Sequence, residues 1–363
     1  MDKPERRQTG KTALKFDDLC ALARKKKASD LYLSAGNHPV IKGHGRLERL
    51  TDYPALKQKA VEDLVNPILT PQQQQDLEGQ LDLELMHRTK AAGNTRIVLY
   101  VTQDGLAAAC RLLPAKAPSF KQLGPADSLK KIAALDRGLV LIAGESNSGK
   151  TTTMAALIDY INTHFQKSIV TVEKTVQFTH KSKSSLIVQR EIGASARDYA
   201  GSIRTAMRSD MDVLFLDDLS AEPEAAELAL DAAESHLVLA THRSFGGAGW
   251  LVRRIFELFP ADQQDFVQTQ LARVLRATIW QHLLPLQDGS GSKIAMELML
   301  STEKIAALIR SNELHKIHAE IEKGGESGMQ TIGESVEKAS EGVELVTEVI
   351  DLAKLAAPLV ALI

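Results

Sequence analysis

Apolar residues recur along this chain with a changing period, and the changes divide it. After a polar start over residues 1–12, Leu14, Leu19, Leu22 and Ala23 fall at helical spacing and end in the basic run Arg24 to Lys27. Short extended pieces come next at Asp30-Leu31-Tyr32-Leu33, Val40-Ile41 and Arg46-Leu47-Glu48-Arg49, separated by Gly36, Gly43 and Gly45 as in a small sheet with tight turns. The pattern predicts a helix near 58–79, then renewed alternation at Leu81, Leu83 and Leu85 and again from Ile97 to Val101. Residues 1–113 therefore read as an α+β domain. Pro114, Pro118 and Pro125, with Gly124 among them, punctuate a linker.

From Arg137 the pattern changes again. Four short apolar runs, Gly138 to Ala143, Ile169 to Val172, Val213 to Leu216 and Leu237 to Ala240, alternate with helical segments such as Met154, Leu157, Ile158, Ile161 and Phe165. Strands buried on both faces and separated by helices imply a parallel three-layer α/β domain, placed at residues 114–335 with its linker. Beyond about residue 262 the chain reads as helical apart from a turn at Asp288 to Ser292. In residues 336–363, Glu341, Glu344, Glu348 and Asp351 form an acidic stripe on a C-terminal amphipathic helix. Such a helix docks on its own domain or on a partner surface; the stripe disfavours anionic lipid.

Composition narrows the class. The 363 residues include 44 Lys and Arg against 46 Asp and Glu, with 44% apolar and 25% charged residues, as in an ordinary globular protein of two or three domains. A net charge of -2 argues against a nucleic-acid coat, which needs a clear basic excess. The two cysteines, Cys20 and Cys110, make no disulfide framework or zinc module, and no signal peptide or spanning run is visible, so a cytoplasmic protein is expected.

Gly144-Glu145-Ser146-Asn147-Ser148-Gly149-Lys150-Thr151 matches G-x-x-x-x-G-K-[ST] between an apolar strand and an amphipathic helix, where a phosphate-cradling loop belongs. The backbone N–H groups of this loop, from Gly144 to Lys150 and on through Thr152, would face the phosphates of ATP. Lys150 would reach the β and γ phosphates, and Thr151 would hold Mg²⁺ through its hydroxyl. Thr9-Gly10-Lys11-Thr12 also reads G-K-T but has neither the first glycine nor a preceding strand. Val213 to Leu216 ends in Asp217-Asp218, acids that either hold the metal's water shell and orient the attacking water or merely cap the next turn of chain. Glu173, at the end of another apolar strand, is a third candidate acid. His236 and His242 flank the Leu237 to Ala240 strand, where a side chain could sense the γ-phosphate or simply pack.

In order, Ala28-Ser29-Asp30-Leu31-Tyr32-Leu33-Ser34-Ala35-Gly36, the glycine-rich loop, Glu173, Gln189-Arg190-Glu191, Leu258-Phe259-Pro260-Ala261 and Gly328-Met329-Gln330-Thr331 resemble the secretion ATPase superfamily. Ile305-Ala306-Ala307-Leu308-Ile309-Arg310 resembles the helix that marks its type IV pilus retraction ATPases. The resemblance spans about residues 15–335. It implies a PAS-like α+β N-terminal domain joined to a RecA-like P-loop ATPase domain with a helical C-terminal region, assembled as a hexamer or mixed ring on an inner-membrane platform protein, without nucleic acid. It also implies nucleotide between the two domains, with Arg96 and Arg111 helping to close the site. Asp218 would be the catalytic base, Asp217 and Thr151 would lie at the metal, and Glu173 and His242 would complete the catalytic set.

Four boxes depart from the family's pattern. Its Gly-Glu is Asp217-Asp218 here, and its E-D-P-I-E is Glu173-Lys174-Thr175-Val176-Gln177. Its T-L-H-T is Thr241-His242-Arg243-Ser244, with the histidine one place early, and Glu145 puts an acid in the phosphate loop. Two readings stand: an ATP-driven ring motor, or a nucleotide-binding, weakly hydrolysing structural or regulatory paralogue of one.

Overall fold

The computed structural model describes residues 14–43, 46–91, 93–113, 116–288 and 291–346. The chain divides into two compact units, residues 1–115 and 116–363.

The N-terminal unit runs α1 (Phe16–Lys25), β1 (Asp30–Leu33), β2 (Val40–Gly43), β3 (Arg46–Arg49), α2 (Gln58–Val65), α3 (Pro71–Gln80), β4 (Asp82–Thr89), β5 (Gly93–Thr102) and β6 (Gly105–Leu112). Its strands form one antiparallel sheet in the order β3-β2-β1-β6-β5-β4, a PAS-like α+β arrangement. The core gathers Phe16, Leu19 and Cys20 from α1 with Leu31, Ile97, Leu99 and Cys110 from the sheet. The helix predicted over 58–79 is two helices. Pro67 and Pro71 interrupt the hydrogen-bond ladder, and Thr70 starts the second helix with a reciprocal cap to Gln73. Strand β6, outside the predicted elements, is where Cys110 meets Leu31 on one side and Ile97 on the other.

The C-terminal unit opens with the short helices α4 (Phe120–Leu123) and α5 (Ala126–Ala133) and continues as β7 (Gly138–Gly144), α6 (Lys150–His164), β8 (Ser168–Glu173), β9 (Leu186–Glu191), α7 (Tyr199–Met207), β10 (Val213–Leu216), α8 (Pro223–Ala232) and β11 (Leu237–Arg243). Then come α9 (Ala248–Phe256), α10 (Gln264–Val274), β12 (Leu275–Pro285), β13 (Ser292–Leu300), α11 (Glu303–Arg310), α12 (Ile317–Lys323) and α13 (Ile332–Ser340). The seven-stranded sheet has the order β13-β12-β7-β11-β10-β8-β9, parallel except for the β12–β13 hairpin at one edge.

Two apolar layers cover this sheet. One face packs Val140, Ile142, Phe215, Leu237 and Leu239 against Met154, Leu157 and Ile161 of α6. The other packs Leu139, Leu141, Val172, Leu214, Leu216, Val238 and Ala240 against α7, α8 and α9. Every residue of β7 is buried, as expected of a strand with helices on both sides.

Two expectations are corrected here. The region beyond residue 262, predicted as helical, contains the long β12–β13 hairpin, pairing Ala277 with Leu300 through Pro285 with Ser292. Both faces of β12 are buried over most of its length, so its apolar residues do not alternate with polar ones. The acidic stripe fails as a helix face in the described residues. Helix α13 stops at Ser340, and the backbone of Glu344 and Val346 hydrogen-bonds to Gln287 and Pro285 beside a Leu286–Leu345 bridge. Gly342, a poor helix former, stands between helix and pairing. Glu348 and Asp351 lie outside the described residues.

Because β7 is enclosed on both sides, truncating Ile142, which is fully buried, to Ala should destabilise the C-terminal unit by about 2–5 kcal/mol. Urea unfolding followed by tryptophan fluorescence reads this directly, since Trp250 and Trp280 both lie in that unit.

Candidate nucleotide site

The C-terminal end of β7 runs straight into the phosphate loop. Gly144 has φ of 148° there, and a side chain would collide with Gln281 O and Ser148 Oγ, both 2.5 Å from an added Cβ. Asn147 and Gly149 take left-handed conformations, φ of 66° and 91°, and α6 begins at Lys150 with no side-chain cap on its first turn. A loop curled by left-handed residues into an uncapped helix N-terminus is an anion cradle. Ser146 and Asn147 are exposed, Ser148 is buried, and Lys150, Thr151 and Thr152 are half-buried. The Ser148 hydroxyl has no hydrogen-bond partner among the described residues. Lys150 Nζ donates to Gly144 O at 2.9 Å and Glu145 O at 2.7 Å, folded back over the loop a phosphate would fill. These features fit a nucleotide polyphosphate.

Gln281, on β12, was invisible to the sequence pattern because its strand read as helix. Its Nε2 donates to Ser148 O at 2.7 Å and props the loop from the neighbouring strand. Beside Gly149 and Thr152 opens a cavity of about 720 Å³, with Pro118, Gln122, Leu283, Ile294 and Lys338 among its walls.

The acids gather at the ends of β8 and β10. Glu173 is buried and accepts from Thr171 Oγ1 at 2.7 Å and Gln189 Nε2 at 3.3 Å. Burial pushes its pKa up to about 8, with Asp217 and Glu191 adding to the rise, so the carboxyl is largely protonated at neutral pH. Asp217, raised to about 6 mainly by burial, has both carboxylate oxygens engaged. Oδ1 accepts from the Tyr199 hydroxyl at 2.6 Å and Oδ2 from Lys174 N at 2.8 Å, while its carbonyl accepts from Thr241 Oγ1. These bonds make Asp217 a tie between three elements, a different task from the expected metal ligation. Asp218 accepts from Ser220 N and Oγ through Oδ1, and its charge is felt by Lys150. Among the described residues no three His, Cys, Asp or Glu converge on a metal position. The shell of a divalent cation would thus include Thr151, phosphate oxygens and water.

The histidine and the two arginines expected at the site occupy distinct settings. His242 is buried with neither ring nitrogen hydrogen-bonded among the described residues, and burial lowers its pKa. The strand register sets it opposite Ala143, and after burial the charges that act on it are those of Asp218, Arg254 and Lys150. Arg96 and Arg111 stand directly opposite each other on β5 and β6 of the N-terminal unit; Arg111 pairs with Asp30 at 3.1 Å and Arg96 with Glu84 at 3.7 Å.

A largely parallel sheet with a phosphate loop at the end of an inner strand defines a P-loop protein of the RecA-like class. Residues 105–288 match the family model of the type II/IV secretion system protein, and the chain belongs to that family, among its type IV pilus retraction ATPases. It is 33% identical over 316 residues to the type IV pilus retraction ATPase PilT of Pseudomonas aeruginosa, covering 87% of this chain and 91% of that one. To a twitching motility protein of Neisseria gonorrhoeae it is 34% identical over 300 residues, 82% of this chain and 79% of the other. A crystal structure of the pilus retraction motor PilT with bound ADP superposes with a TM-score of 0.84 at 32% identity, over 95% of this chain and 97% of that one. Among the described residues no helix is long and apolar enough to cross a membrane.

The raised pKa of Glu173 has a signed consequence. A carboxyl whose folded pKa lies above its unfolded value contributes stability that is complete below about pH 4.5 and is lost as pH rises through about 8. Glu173→Gln should flatten the fall in the urea midpoint between pH 5 and 8.5 relative to wild type; parallel pH profiles for the two proteins would contradict the burial argument.

Proposed function

We propose that the chain is an ATP-binding, ATP-hydrolysing subunit of a ring motor for type IV pilus retraction or a related secretion machine. The observation that carries this is the placing of the phosphate loop, Asp218 and Glu173 at the carboxyl ends of β7, β10 and β8, parallel strands of one sheet, in a chain similar over most of its length to PilT.

Local chemistry assigns the roles. The amides from Gly144 to Thr152 and the Lys150 ammonium would bind the polyphosphate, and Thr151 would hold Mg²⁺. The cavity beside Gly149 and Thr152 would take the base and ribose between apolar walls and a few polar groups. When bound, Mg²⁺ neutralises charge between the β and γ phosphates. Glu173, protonated at neutral pH in the nucleotide-free protein, is a poor proton acceptor and serves better as a hydrogen-bonding positioner of water or metal ligands. That leaves Asp218 as the base. Its Oδ2 has no hydrogen-bond partner among the described residues, while Oδ1 is anchored by Ser220. The Arg96–Arg111 pair would supply positive charge to nucleotide from the N-terminal unit, as the resemblance implies. Assembly as a homo-hexamer or mixed ring on an inner-membrane platform protein belongs to the same proposal.

A second reading has its own support. Asp218 is one methylene shorter than the glutamate of the family's pattern and is partly tied to Ser220, and Glu145 stands in the loop; these favour binding over turnover and fit a weakly hydrolysing partner in a ring.

The two readings separate by turnover. In the motor, Lys150→Ala abolishes Mg-ATP binding and hydrolysis, whereas Asp218→Asn retains binding and lowers kcat by about a hundredfold or more. Wild-type turnover no faster than that of Lys150→Ala, with ATP binding intact, establishes the weakly hydrolysing subunit instead. Sedimentation velocity of the full chain with a non-hydrolysable ATP analogue should show a ring-sized species; a monomer at all concentrations up to tens of micromolar overturns self-assembly, and a ring formed only on mixing with a second family member identifies the mixed form.

A further inference from the structure

Strand β11 lies beside β7 in the middle of the sheet, and their register sets Arg243 opposite Gly144, the first glycine of the phosphate loop. Alternation along β11 is unbroken. Leu237 and Leu239 pack with α6, while Val238 and Ala240 pack in the opposite layer with α7, α8 and α9. Arg243 therefore belongs to the face that carries α6 and the loop, and His242 to the reverse face. There Ala143 lies directly beside His242, and Trp280 stands on the far side of Ala143.

The surroundings of the two residues differ accordingly. His242 is 5% exposed, and burial lowers its pKa more than any charge that reaches it. Arg243 is exposed, its guanidinium carbon lies 5.2 Å from the centroid of the Phe245 ring, and no carboxylate among the described residues pairs with it. After burial, the charge of Arg243 is the chief influence pushing the Lys150 pKa down. Two cations thus approach each other at the mouth of the loop, and Lys150 directs its donors to two loop carbonyls. Like charges held this close repel unless an anion comes between them, and a guanidinium offers a flat fork of donors to phosphate oxygens.

We propose that Arg243 binds the terminal phosphate of the nucleoside triphosphate, the task the sequence pattern assigned to His242. The inference rests on the nucleotide reading above. The stacking on Phe245 holds the guanidinium at the mouth of the loop while the site is open, at the modest strength typical of exposed cation–π pairs. The face change has a simple origin. Moving a residue by one place along a strand sends its side chain to the other side of the sheet. The early histidine therefore lies on the other face of the sheet, and the arginine after it takes the position facing the loop.

The test compares two nucleotides on the full chain, because only one of them has the third phosphate. Isothermal titration with Mg²⁺ and either ADP or the non-hydrolysable analogue AMP-PNP gives both dissociation constants. Arg243→Ala should weaken AMP-PNP by about tenfold or more, as expected for loss of a charge-assisted hydrogen bond, and change ADP by less than about twofold. Arg243→Lys should recover part of the loss. An equal loss for both nucleotides, no loss for either, or a selective loss of AMP-PNP in His242→Leu instead would each overturn the assignment. Should wild type bind neither nucleotide, the loop reading itself falls, a result distinct from any of these. Urea midpoints of the Arg243 variants, expected to match wild type because the side chain is exposed, separate a binding loss from unfolding.

Discussion

Burial of β7 between two apolar layers is the constraint that sets the arrangement at the nucleotide end. Along Gly138–Gly144 the strand exposes nothing to solvent on either face, so its first contact with water comes where the chain leaves the sheet. There the backbone must turn sharply beneath Gln281 and Ser148, which only a residue without a Cβ permits. The turn then runs into α6, whose Met154, Leu157 and Ile161 are held against the same sheet. Strand and helix are fixed by hydrophobic contact, and the loop joining them inherits its curvature. An anion site made this way costs little reorganisation when phosphate arrives, since the amides are already converged.

The charges at this end of the sheet are divided by strand. Lys150 opens the helix after β7 and Arg243 ends β11, whereas Glu173, Asp217 and Asp218 stand at the ends of β8 and β10. Desolvation acts on the acidic half in a useful way. Two of the carboxyls, Glu173 and Asp217, are pushed toward the protonated form, which limits repulsion within the cluster. Asp217 converts its charge into hydrogen bonds that tie α7, the exit of β8 and β11 together. The acid beyond it is left with an oxygen to spare. A basic half that attracts phosphate and an acidic half that can take a proton are what phosphoryl transfer to water requires of neighbouring strands.

Much of this was legible in the sequence, and the parts that were not have definite physical causes. The four parallel strands announce themselves as continuous apolar runs, and the glycine-rich loop between strand and helix leaves little freedom in what it binds. The β12–β13 hairpin was hidden because β12 is covered on both sides, so Leu275 to Pro285 shows neither the alternation of a half-exposed strand nor the stripe of a helix. Gln281 was hidden with it, since its importance lies in a neighbour, Ser148, more than a hundred residues away. Strand β9 escaped because Leu186 and Val188 are exposed at a sheet edge, where pairing on one side alone holds the backbone. In the N-terminal unit, Pro67 and Pro71 mark the break between helices plainly, but a helical period counted across them conceals it.

The altered boxes also differ in consequence, and secondary structure explains why. Asp218 lies just past the end of β10, where the chain no longer alternates, so replacing a glutamate by an aspartate shortens the reach of the carboxylate without changing its side of the sheet. The histidine shift falls inside β11, where a single place decides between the phosphate loop and an apolar layer. There the altered chemistry is a change of residue type, a guanidinium in place of an imidazole. A guanidinium stays charged across the physiological pH range, whereas an imidazole loses its proton near neutrality. A phosphate contact built on Arg243 is therefore insensitive to pH in the range where Asp217 and Glu173 titrate, which leaves the acidic half of the site as the source of any pH dependence in turnover.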